Sequence, residues 1–140
     1  MIQIPTHILT AIVRQARTEL PNECCGLLTG LEGVVRKQYP MTNTDHSPEH
    51  FSFDPREQFQ VLKAARSEGL KIIANYHSHP STPARPSEED IRLAYDPDIV
   101  YIIVSLAEET PVVKAFSIVE GTVKQLELNL IQVHTIPDRQ

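Results

Sequence analysis

Leu70-Lys71-Ile72-Ile73-Ala74-Asn75-Tyr76-His77-Ser78-His79-Pro80 runs from an apolar segment straight into two histidines and a proline, and that join decides the fold. Leu70 to Tyr76 reads as a buried strand, preceded by the breaker Gly69 and ended before Pro80, because proline cannot donate to a sheet ladder. The two histidines therefore stand at a strand's end. Being two apart in extended chain, their rings project from one face, close enough to converge on one ion.

Outward from this strand the signals alternate between helix and strand. Upstream, Asp54-Pro55 opens a helix with proline at its favoured first position, running to about Glu68 and closed by Gly69. Downstream, Ser81 to Pro86 is a Pro-rich loop, and Ser87-Glu88-Glu89-Asp90 has the form of a capping box opening a short helix through about Ala94. Near the start, Ile8, Leu9, Ile12, Val13, Ala16 and Leu20 recur at spacings of three and four, which predicts an amphipathic helix from about Thr6 to Leu20, stopped by Pro21-Asn22. Cys24 to Thr29 and Val34 to Met41 form a hairpin through Leu31-Glu32-Gly33. Strands follow at Ile99 to Leu106, Val112 to Val119 and Thr122 to Asn129. The order αββαβ, short α, βββ predicts one mixed α/β layered domain over residues 1–140.

Charge and composition narrow the function. Thirteen basic against eighteen acidic residues give a net charge of −5, and the basic residues are scattered, which argues against a nucleic-acid partner. The longest apolar run, Ile99 to Ala107, is about half of the ~20 residues a membrane helix needs, so no membrane association is expected. The first twenty residues lack the basic leader and apolar core of an export signal. The two cysteines are the neighbours Cys24 and Cys25, which on a strand point to opposite faces and make no disulfide framework. A reducing, cytoplasmic setting is expected.

The chemistry concentrates in few residues. A catalytic zinc site takes three protein ligands and leaves a position for water, and Asp90, eleven residues beyond His79, can join His77 and His79 as the third. Each residue also has a plain structural explanation. Ser87 and Asp90 are accounted for as a helix cap, Glu23 as a solvated turn residue, and His7, His46, His50 and His134 as surface or satisfied-core histidines.

Jointly, Glu23, His77-Ser78-His79-Pro80, Ser87 and Asp90 resemble the signature of the JAMM/MPN+ metalloproteases, also called JAB1/MPN domains: a distant Glu, then H-[ST]-H-P, with a Ser eight and an Asp eleven residues after the second His. The resemblance extends to Glu23-Cys24-Cys25-Gly26-Leu27-Leu28-Thr29-Gly30, similar to the family's E-x-C-G-L-L-x-G, to Asn43, and to Phe51-Ser52-Phe53-Asp54-Pro55. It implies a cytidine-deaminase-like α/β sandwich, Zn2+ on His77, His79 and Asp90, Glu23 as general acid/base, and Ser87 donating a hydrogen bond to the developing oxyanion. The H-x-E and P-C-x-x-C pattern of the deaminases themselves is absent. The implied activity is cleavage of an amide or isopeptide bond after the C-terminal glycine of a ubiquitin-like or sulfur-carrier protein, whose extended tail would add along an exposed strand edge. The chain is similar to the compact prokaryotic members, and its sheet edges leave room for a homodimer. Two rival readings are a non-catalytic MPN-type scaffold, whose hallmark is loss of ligands, and a two-His-one-carboxylate iron oxygenase.

Overall fold

The computed structural model describes residues 1–132. Its first half comprises β1 (Ile2–Pro5), α1 (Thr6–Thr18), β2 (Cys25–Leu31), β3 (Val34–Met41) and α2 (Pro55–Ser67). The second comprises β4 (Lys71–His79), α3 (Glu88–Arg92), β5 (Val100–Ser105), β6 (Val112–Val119), β7 (Thr122–Leu126) and β8 (Leu128–Ile131). The strands form one mixed sheet in the order β7-β6-β5-β4-β2-β3-β1-β8. β4 sits inside it, antiparallel to β2 and parallel to β5.

Helices cover both faces, as the alternation along the strands requires. Ile8, Ile12 and Ala16 of α1 pack with Ile2, Ile4, Leu28, Ala74, Tyr76, Ile102 and Val104. Residues of the opposite parity face the other way. Cys25 and Leu27 pack with Val61 of α2, while Tyr101 and Ile103 pack under Ile91 of α3. Cys24 and Cys25 accordingly lie in different cores, both buried and unbridged. Burial raises the Cys24 thiol to about 12 and lifts Cys25 as well, so both are neutral packing residues.

α2 is bounded as its sequence predicts. The Asp54 side chain accepts a hydrogen bond from the Arg56 N–H at 2.9 Å, Pro55 fills the first turn, and Gly69 adopts φ +72° just beyond the helix. Gly26 serves a different need. A Cβ there would lie 2.2 Å from the Tyr76 ring, which crosses β2 at that point. The Tyr76 hydroxyl donates to Gln15 Oε1 of α1 and accepts from Gln38 Nε2 at 3.0 Å, anchoring the strand one residue before His77.

Three boundaries differ from the sequence expectation. β4 continues through both histidines rather than stopping at Tyr76, because His77 pairs with Cys25 and Ile103, and His79 with Ser105. Ile2–Pro5 is a strand that four residues of local pattern do not announce; it exists through parallel pairing with β8 and β3. Thr122 to Asn129 is not one strand. It breaks at Glu127, and β7 and β8 lie at opposite ends of the sheet order, so the sheet curls until one residue bridges its edges. Among the described residues no helix is long and apolar enough to cross a membrane.

Candidate metal centre

The end of β4 delivers two imidazoles to the α2/α3 face, with His77 Nε2 and His79 Nε2 3.1 Å apart. α3 supplies the third group. Asp90 Oδ2 lies 3.2 Å from His77 Nε2 and 3.1 Å from His79 Nε2. Asp90 reaches this point because its helix is capped as the sequence predicts: its N–H donates to Ser87 Oγ at 3.0 Å, and the Ser87 N–H donates to Asp90 Oδ2 at 2.9 Å. The helix cap and the three-residue cluster thus share one carboxylate oxygen. The cap and the place in the cluster are compatible.

The donor set suits a divalent cation. The three atoms form a triangle with sides of 3.1 to 3.2 Å, and a tetrahedral ion with bonds of about 2.0–2.1 Å wants ligand atoms roughly 3.3–3.4 Å apart. Tautomers point the same way. His79 Nδ1 faces the Pro83 carbonyl at 2.8 Å and donates to it, which leaves an acceptor lone pair on Nε2 of the neutral ring, aimed at a carboxylate oxygen. Two acceptors so close need a positive charge between them. One proton serves one edge of the triangle; one cation serves all three.

Electrostatics separate the three groups of the cluster. Burial holds His77 below the ordinary histidine range, against the pull of Asp90, so its ring is neutral. At His79 burial opposes charge, but the bonds to Asp90 and to the Pro83 carbonyl and the charges of Asp90 and Glu23 outweigh it and raise its pKa. Burial likewise opposes charge on Asp90, and its bonds to the two imidazoles with the Ser87 N–H reverse the balance, keeping it an anion.

Glu23 lies just before β2. Continuing the Cys25–His77 register by two residues sets it opposite His79, and Ser78 welds this junction: its Oγ accepts the Cys24 N–H at 2.8 Å while its own N–H donates to the Cys24 carbonyl at 3.1 Å. Glu23 is only 3% exposed and Oε1 has no hydrogen-bond partner. It is no solvated turn residue. Burial pushes its carboxyl up to about 8, with His79 pulling down and Asp90 and Glu89 adding to the rise.

This shift has a consequence for stability. The folded chain keeps the Glu23 proton longer than the unfolded one, so the contribution is complete below pH 4.5 and is lost as pH rises through about 8. In metal-stripped protein the wild type is expected to lose roughly 3–5 kcal/mol relative to Glu23→Gln across that window. Urea titrations in chelator at pH 5 and pH 9 check it. A gap between the two proteins that does not change with pH would contradict the raised carboxyl.

Four groups support the cluster in roles that the sequence did not assign, three of them quoted in the family resemblance. Ser78, quoted in the motif without a role, is the weld just described. The buried Asn43 donates through Nδ2 to the Glu23 and His50 carbonyls, each at 3.1 Å, while its Oδ1 accepts the Asp45 and Ser52 N–H groups. Phe51 stacks on His77 with ring centroids 4.6 Å apart. The Pro83 carbonyl is backbone, which no side-chain pattern reveals. His7, His46 and His50 are exposed and take no part, and His134 lies outside the described residues.

The family model described as prokaryotic homologs of the JAB domain matches residues 5–119. The CysO-cysteine peptidase of Mycobacterium tuberculosis is 34% identical over 135 residues, covering 94% of this chain and 92% of that protein. A probable TtuB-protein conjugate cleaving protease of Thermus thermophilus is 35% identical over 122 residues, covering 86% and 78%. Among solved structures, a protein of Desulfitobacterium hafniense superposes with a TM-score of 0.88 at 46% identity, covering 96% of each chain. A structure described as a JAMM metalloprotease-like zinc site in the proteasome and signalosome superposes at 0.62 with 25% identity, covering 94% of this chain and 99% of its own. A match over most of the chain, joined to the Glu, His-Ser-His-Pro, Ser and Asp positions gathered at one end of β4, makes this chain a member of the prokaryotic JAMM/MPN family.

Proposed function

We propose that this chain is a zinc-dependent peptidase that cleaves the amide or isopeptide bond after the C-terminal glycine of a ubiquitin-like or sulfur-carrier protein, acting as a single cytoplasmic domain. The observation that carries the reading is the triangle of His77, His79 and Asp90 with the buried Glu23 carboxyl, its Oε1 unpaired, on the adjoining segment just before β2. The similarity to a CysO-cysteine peptidase and to a probable TtuB-protein conjugate cleaving protease supports this bond type.

In this reading His77, His79 and Asp90 hold the metal. A bound zinc ion supplies Lewis acidity toward the carbonyl and brings the pKa of its water from 15.7 to about 7. Glu23 accepts a proton from the attacking water at its unpaired carboxylate oxygen and returns it to the leaving amine nitrogen. The Ser87 hydroxyl spends only its lone pair on the Asp90 N–H, so its own hydrogen is available to the oxygen on which charge develops. Phe51 and the burial of His77 keep water from one side.

Metal analysis and mass spectrometry test this directly. Purified protein is expected to carry about one zinc per chain, and small carrier proteins ending in Gly-Gly plus an extension are expected to lose the extension. Less than stoichiometric metal with no cleavage fits the scaffold instead, and stoichiometric iron fits the oxygenase.

A further inference from the structure

On the α2/α3 face a groove of about 970 Å3 runs over β4 and β5 and ends at His77 and Asp90. One wall is α2, presenting Leu62 and Arg66; the other is the segment after α3, with Leu93 and Tyr95. Leu27, Tyr101 and Ile103 make an apolar floor, interrupted by one amide, Asn75. Asn75 sits two residues before His77 on the same face of β4, paired with Leu27 on one side and Tyr101 on the other. Its Oδ1 is buried and has no hydrogen-bond partner. An unpaired buried amide oxygen is unfavourable, and a leucine among these neighbours would avoid the cost.

A side-chain amide offers an acceptor and a donor side by side, which is the complement of a peptide unit. Such a pairing reads main chain and ignores side chains, as an enzyme acting on extended tails requires. The spacing also agrees, since two strand residues are about 6–7 Å, the reach of two residues of an extended ligand from the cluster. At the groove's far end Lys71 and Arg66 are exposed and take part in no ion pair among the described residues. That end therefore favours the acidic side of a partner.

Resting on the peptidase reading above, we infer that Asn75 is a positioning residue that clamps one peptide unit of the carrier's C-terminal tail, about two residues before the bond to be cut. The tail enters past Lys71 and Arg66 and lies on the sheet's face, over interior strands rather than along an exposed edge. Asn75 touches no reacting atom. Its effect is on where the tail lies.

The test uses zinc-loaded wild type, Asn75→Leu and Asn75→Gln, a fluorescein-labelled heptapeptide ending in Gly-Gly, and an extended carrier. Asn75→Leu is expected to bind the heptapeptide at least tenfold more weakly and to raise KM for the carrier more than it lowers kcat. Its zinc content is expected to hold and its urea midpoint to hold or rise, and Asn75→Gln to recover part of the binding. N-methylation of the heptapeptide's peptide units, one at a time, provides the discriminating measurement. One position should cost the wild type about tenfold and cost Asn75→Leu nothing. Cleavage with unchanged KM in Asn75→Leu, or a methylation scan with the same cost in both proteins, overturns the clamp and leaves the peptidase reading intact. A wild type that neither cuts any carrier nor binds the heptapeptide overturns both.

Discussion

Replacing Glu23 by glutamine is expected to lower kcat for a Gly-Gly-extended carrier about 10³-fold while the protein keeps about one zinc per chain and its fold. The size follows from the work assigned to the carboxylate, since a positioned general acid/base contributes about 10²- to 10⁴-fold. The selectivity follows from its surroundings. Glu23 is held by its backbone, whose N–H donates to the Ser47 carbonyl at 2.8 Å and whose carbonyl accepts from Asn43. Its side chain makes no bond through Oε1 that an amide would break. Glutamine has nearly the same shape and no proton to exchange, so metal binding at His77, His79 and Asp90 is left in place. Kinetics on the extended carrier, metal analysis and circular dichroism on one preparation read the three quantities together. Full turnover by the zinc-loaded variant would remove Glu23 from the mechanism, and loss of zinc would make it a ligand rather than a base.

Glu23 also marks the limit of what the sequence discloses. An acidic residue after Pro21-Asn22 looks solvated, and only the pairing of β2 with β4, fifty residues away in sequence, buries it opposite His79. The histidines are legible because their information is local: a strand, a two-residue period and a terminating proline occupy one stretch. Ser87 and Asp90 are legible as a cap for the same reason, and the approach of Asp90 to His77 appears only when α3 is packed beside β4. The elements that escape local pattern do so on physical grounds. β1 is too short to show a period and depends on partners β3 and β8. The break at Glu127 has no glycine or proline to announce it, and Leu126, Leu128 and Leu130 alternate straight through it. The unpaired Asn75 oxygen belongs with these, being visible only once Leu27 and Tyr101 flank it.

Asp90→Asn separates the two jobs that one carboxylate oxygen performs. Asparagine keeps a carbonyl that can accept the Ser87 N–H, so the cap, worth about 1 kcal/mol, and α3 itself are expected to persist. What disappears is the anion. Neutral oxygen is a weaker ligand for zinc, and the amide oxygen that keeps the Ser87 N–H no longer presents an anion to His77 and His79. Loss of an outer-shell partner costs about 10- to 100-fold in metal affinity, and loss of a direct ligand should exceed that. Dialysed Asp90→Asn is therefore expected to hold far less than one zinc per chain, with turnover lost in proportion and partly regained when zinc is added in excess. Ser87→Ala provides the opposite case: it gives up the cap's hydroxyl but retains all three ligand atoms, so its zinc content should hold while kcat falls by about 10²-fold from the missing oxyanion donor. If Asp90→Asn retains stoichiometric zinc and full turnover, Asp90 is a helix cap and nothing more, and the metal is held without its carboxylate.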